Sequence, residues 1–117
     1  MSELGKGTPA MKFETVSGRL RRFDSPADVI ASLDSDLEST IALVASGGTT
    51  FLSPILGRLR GVICQDGTLR SHLAIVSRDF ELPCLVGAEL VEVPENGTMV
   101  TLEVRSPNLG VVFRAEG

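Results

Sequence analysis

Six consecutive residues, Gly67-Thr68-Leu69-Arg70-Ser71-His72, concentrate the chemistry of this chain, because they contain its one histidine. A neutral imidazole near pH 7 keeps a free lone pair on one ring nitrogen while a hydrogen bond holds the other, so it can attack phosphorus. Arg70 adds a guanidinium fork that suits phosphoryl oxygens, and Ser71 adds either an N-cap or a hydroxyl donor. These residues define a candidate site: His72 as the catalytic group, with Gly67, Thr68, Arg70 and Ser71 as the phosphoryl-binding set and no metal ligand.

Placing that site requires a helix. Leu69, Leu73, Val76 and Phe80 recur at i, i+4, i+7 and i+11, which predicts one over residues 71–80. On a wheel of about 100° per residue, His72 then lies roughly 70° to 80° from the centre of the stripe, beside the core rather than within it. The first turn of a helix presents unpaired N–H groups and a partial positive charge, so an anion there is stabilised. A core-packing histidine would show the same periodicity. Arg78, taken alone, reads as a solvated charge. Zinc held by Cys64, Cys84 and His72 is disfavoured because two of the ligands would come from strand interiors. Gly47-Gly48-Thr49-Thr50 lacks the lysine of a P-loop and reads as a plain loop.

The flanking elements follow from apolar runs and turn residues. Residues 41–45 and 61–64 are continuous apolar runs, as are residues 84–86, and each predicts a strand buried on both faces. Ser25-Pro26 and Ser53-Pro54 each give a cap followed by proline, predicting helices over about 26–33 and 53–59. Residues 13–16 and 20–23 read as two short strands around Gly18, and residues 99–104 and 110–113 as closing strands after the Asn96-Gly97 turn. Residues 1–12, with Gly5, Gly7 and Pro9, are expected to be a flexible tail. The predicted fold class is α/β, a mixed sheet with about three helices, in one domain over residues 13–117.

Composition narrows the function. A chain of 117 residues suits a single core. A net charge of −4, with no Trp, no Tyr and five Phe, disfavours nucleic acid as a partner. No apolar run reaches the roughly 18 residues of a membrane span, and no secretory signal is visible, so a cytoplasmic location is expected. Two cysteines make neither a disulfide framework nor a zinc knuckle.

The stretch from Gly67 to Arg78, followed by Glu81-Leu82-Pro83-Cys84-Leu85-Val86-Gly87, resembles the phosphohistidine swivelling domain of phosphoenolpyruvate-utilising enzymes. That family includes pyruvate phosphate dikinase, phosphoenolpyruvate synthase, rifampicin phosphotransferase and phenylphosphate synthase. The likeness covers roughly residues 13–114 and implies a swivelling β/β/α domain whose His72 accepts a phosphoryl group and carries it between two active sites. Three residues depart from the motif: Thr68 stands where the second glycine would be, Arg70 where many members have Thr or Leu, and Ser77 where alanine is usual. Family enzymes join this domain to nucleotide-binding and phosphoenolpyruvate-handling domains, which do not fit in this length. The resemblance therefore implies a phosphotransferase component, incomplete without partner subunits, like the free-standing mobile subunit of phenylphosphate synthase. ATP and Mg²⁺ are expected on a nucleotide-binding partner, with an acceptor or phosphoenolpyruvate-binding subunit completing the assembly and no cofactor bound by this chain. Two other readings compete: a non-catalytic docking or regulatory domain of the same fold, and, more remotely, an aconitase-type swivelling subunit.

Overall fold

A computed structural model describes residues 2–46 and 50–115. Seven strands close into a barrel in the order β1-β5-β4-β3-β2-β6-β7, with β7 returning to β1. They are β1 (Ser2–Pro9), β2 (Val16–Arg22), β3 (Thr40–Ser46), β4 (Gly61–Asp66), β5 (Cys84–Leu90), β6 (Met99–Ser106) and β7 (Leu109–Arg114). Strands β2 to β5 run parallel, and every pairing involving β1, β6 or β7 is antiparallel. The described α-helices are α1 (Pro26–Ser32) and α2 (His72–Asp79), and none is long and apolar enough to cross a membrane.

This corrects the predicted α/β mixed sheet with about three helices, and two causes are local. Residues 53–59 do not make an α-helix: Ser53 turns its hydroxyl back to the Thr50 carbonyl, and only a single 3-10 turn forms at Leu56–Arg58. Gly57 costs so short a stretch about 1 kcal/mol of helix propensity relative to alanine, a loss that the equally short but glycine-free α1 does not carry. The expected flexible tail is instead strand β1, which pairs with β5 on one side and β7 on the other and closes the sheet. The glycines that suggested a tail permit this. A side chain at Gly5 would strike the Glu89 carbonyl oxygen, so only glycine lets β1 approach β5 so closely. Residues 2–9, expected to lie outside the domain, thus take part in the barrel. Likewise, in place of the two short strands expected over 13–16 and 20–23 there is one strand, β2 (Val16–Arg22), running straight through Gly18, with residues 13–15 outside it.

Side-chain alternation sorts the core into two layers. Leu4, Leu20, Ile41, Leu43, Ile63, Leu85, Val100, Leu102 and Val112 fill the barrel interior. Ala42, Val44, Val62, Cys64, Cys84 and Val86 point outward from β3, β4 and β5, where Val29 of α1 and Leu73 and Ala74 of α2 cover them. Those three strands are thus buried on both faces, which explains their unbroken apolar sequence.

A candidate phosphoryl-accepting loop

The parallel β4–β5 crossover positions the site. β4 ends at Asp66, a loop runs through residues 67–71, and α2 begins at His72. Cys64 fixes the strand's exit by donating its thiol to the Asp66 carbonyl at 2.7 Å. Gly87 of β5, with φ +59°, bends towards the loop, and a side chain there would press on the Gly67 carbonyl at 3.3 Å.

Within the loop, bonds converge on one carbonyl. Thr68 O accepts both the Ser71 backbone N–H at 3.0 Å and the Ser71 hydroxyl at 2.7 Å, while Thr68 Oγ1 accepts the Arg70 N–H at 3.2 Å. Ser71 occupies the N-cap position, yet its hydroxyl faces back into the loop and does not cap the helix. The earliest intrahelical bond runs from the Ile75 N–H to Ser71 O at 3.1 Å. The N–H groups of His72, Leu73 and Ala74 therefore head the helix without intrahelical partners.

The helix turns its buried face differently from the predicted stripe. Leu73, Ala74 and Ser77 are buried, whereas Leu69 is 41% and Phe80 55% exposed. Leu69 lies in the loop, before the helix begins, and Phe80 is its C-cap, so neither belongs on the wheel. That rotation carries His72 away from the core, and it is exposed. Its ring and the Arg70 guanidinium make no hydrogen bond or ion pair among the described residues. Gly67, Thr68, Leu69 and Arg70, with Thr8 and Val86, line an open groove of about 500 Å³ beside the loop.

Three of the five candidate residues, Gly67, Thr68 and Arg70, line that groove, and a fourth, His72, is exposed at the head of α2 outside its lining. The fifth, Ser71, is adjacent but spends its hydroxyl on Thr68. Arg78, which taken alone reads as a solvated charge, has a structural part as well. Its Nη2 donates to Leu69 O at 3.1 Å and its Nη1 to Ala10 O at 3.5 Å, so it braces the loop from behind. The available signal was its place in the quoted motif.

Beneath α2 lie two free thiols. Burial pushes Cys64 up to about 11 and Cys84 up to about 12, so both stay protonated and poorly nucleophilic at neutral pH. Ser77 Oγ is fully buried beside Cys84, whose thiol is the one polar group it meets among the described residues, a weak partner for a hydroxyl. No group of three His, Cys, Asp or Glu side chains gathers into a metal site among the described residues, so Cys64, Cys84 and His72 do not assemble one. The Gly47-Gly48-Thr49 part of the second candidate loop lies outside the described residues.

Comparison with known proteins adds to this geometry. A solved structure of an MccF-like protein from Bacillus anthracis (strain Ames) superposes with a TM-score of 0.64 over 93% of this chain and 43% of that one, at 8% identity, a likeness of fold alone. Rifampicin phosphotransferase of Bacillus subtilis (strain 168) is 29% identical over 94 residues, covering 65% of this chain and 11% of that protein. The Streptomyces sviceus rifampicin phosphotransferase is 31% identical over 75 residues, 64% of this chain and 8% of its own length. The chain thus spans about a tenth of the length of the curated relatives it matches, and those relatives are phosphotransferases. The family described as PEP-utilising enzyme, mobile domain, matches residues 37–106, a span holding the whole loop and α2 and more than half of the chain. This chain belongs to that family of mobile domains of PEP-utilising enzymes.

Proposed function

We propose that this chain is the phosphocarrier of a phosphotransferase, receiving a phosphoryl group on His72 and passing it to an acceptor held elsewhere. The observation that carries the reading is the exposed imidazole at the first residue of α2, two positions after Arg70, both side chains without a partner among the described residues. A carrier histidine must reach into the sites of other domains or subunits, so its ring must be free of its own domain. In the forward step a ring nitrogen lone pair forms an N–P bond while the donor's P–O bond breaks, the leaving oxygen keeping the electron pair. The second step reverses this, the acceptor's oxygen taking phosphorus and the imidazole leaving. Helix N–H groups and the Arg70 guanidinium offset the charge gathered on the phosphoryl oxygens.

Donor chemistry belongs to other parts of the assembly. A nucleotide-binding partner would hold ATP with Mg²⁺, or a phosphoenolpyruvate-binding partner would supply the group. An acceptor-binding partner would complete the cycle. These partners are separate subunits in this proposal, and the domain's movement between them links the two half-reactions.

The test is alkaline intact-mass spectrometry after incubation with ATP or phosphoenolpyruvate and the candidate partner chains. An acid-labile, base-stable gain of one phosphoryl group, localised to His72 and lost in His72→Ala, is expected. Partner binding without any label from either donor would sink the carrier reading and leave a docking domain.

A further inference from the structure

We propose that Arg78 is a positioning residue for His72, holding the loop at residues 67–71 in the posture that presents the imidazole. The inference rests on the phosphocarrier reading and adds a residue that reading does not use. His72 is exposed, and no hydrogen bond holds its ring among the described residues, so the backbone leading into it sets its position. That backbone is pinned at two neighbouring carbonyls. Ser71 holds Thr68 O from within the loop, and Arg78 holds Leu69 O from the last turn of α2.

Arg78 is well built for the task. Its base is fixed by the turn that ends the helix: the Glu81 N–H donates to Arg78 O at 3.1 Å and the Leu82 N–H to Ser77 O at 2.8 Å, the paired bonds of a Schellman motif. Its other nitrogen reaches Ala10 O, and the Ala10 N–H in turn donates to Cys84 O at 2.9 Å. One guanidinium therefore joins the loop, the exit of β1 and the start of β5. Two carbonyls on separate segments call for a planar fork, which an ammonium does not supply. Without Arg78 the loop would keep its bonds to Thr68 but lose the guanidinium that ties Leu69 to the barrel seam at Ala10, and the imidazole would sample many orientations.

Two measurements on the whole chain separate the possibilities. Hydrogen exchange of the amides of residues 69–73 is compared in the native protein, Arg78→Gln and Arg78→Lys, with the amides of β3 and β4 as an internal reference. In parallel, phosphoramidate serves as a small-molecule donor: its P–N bond breaks, ammonia leaves, and a ring nitrogen of His72 takes phosphorus. Arg78→Gln is expected to raise loop exchange about tenfold, leave the reference amides unchanged, and lower the maximal labelling rate about tenfold at an unaltered half-saturating phosphoramidate concentration. Arg78→Lys, which keeps the charge and stem, guards against a poorly folded glutamine variant and is expected to recover no more than about a third of the rate. Unchanged loop exchange in both variants overturns the clamp. Faster exchange with normal labelling reduces Arg78 to a purely structural role and overturns its positioning of His72. If the native chain takes no label while free histidine does, the carrier reading falls and the positioning role with it, whereas exchange still judges the clamp.

Discussion

Leu4 offers a direct trial of barrel closure. It is 3% exposed and packs inside the barrel with Leu20, Leu85 and Val112, although it belongs to a glycine-rich stretch that reads as a tail. Leu4→Ala removes three carbons, or about 2.4 kcal/mol at roughly 0.8 kcal/mol each. A partly collapsed cavity brings the loss to about 2.5–3.5 kcal/mol. At about 2.1 cal/mol/K per residue, unfolding 117 residues carries an entropy of about 0.25 kcal/mol/K, so each kcal/mol lowers Tm by about 4 °C. The expected fall is therefore about 10–14 °C by circular dichroism. Lys6→Ala, on the same strand but exposed and joined to Glu3 only by a 3.9 Å surface contact, is the control and is expected to stay within about 2 °C. Leu4→Ala behaving like Lys6→Ala would mean that β1 is not part of the cooperative unit, and the closed barrel would be refuted.

Three further outcomes are expected. Ser77→Ala removes a buried hydroxyl whose one polar neighbour among the described residues is the weakly bonding Cys84 thiol, so it should leave stability unchanged or raise it by up to about 1 kcal/mol in urea unfolding; a loss above about 1 kcal/mol would show that the hydroxyl is well satisfied. Glu81 adopts φ 55° at the C′ position of α2, so Glu81→Gly should stabilise by about 0.5–1 kcal/mol, and a destabilised variant would count against the left-handed cap. Burial pushes the folded thiols up to about 11 and about 12 from the ordinary cysteine value of 9.0, so the unfolded chain loses these protons first. Their contribution is then complete below about pH 9 and declines as pH rises through 11 and 12; stability that is flat across this range in the native protein, matching a double Cys→Ala variant, would contradict that burial.

The sequence revealed most where a local signal and the tertiary environment agreed. Strands β3 and β4 carry unbroken apolar runs because both faces are covered, and Pro26 starts α1 as its cap pattern predicts. The loop and its histidine were visible for a similar reason: a strand, a glycine and an amphipathic stretch in succession specify a crossover. Strand β1 was hidden because its residues are selected for close approach to β5 and not for apolar alternation, and partners some eighty and a hundred residues away define it. The turn of α2 was misjudged because Leu69 and Phe80 fit the period while standing outside the helix. Arg78 was unreadable as a brace because its acceptors are backbone carbonyls, which leave no mark on residue identity.

The pairing of β1 with β7 also constrains how the chain reaches its fold. Ser2 aligns with Arg114 and Gly7 with Gly110, so the two strands that complete the ring lie more than a hundred residues apart. On a ribosome, residues 2–9 emerge before their β5 partner, which follows only once residue 90 is clear. The last seam waits for residue 114. Until then the nascent domain is an open ribbon with an exposed edge, a target for holding chaperones, and its cooperative stability arrives in one late step.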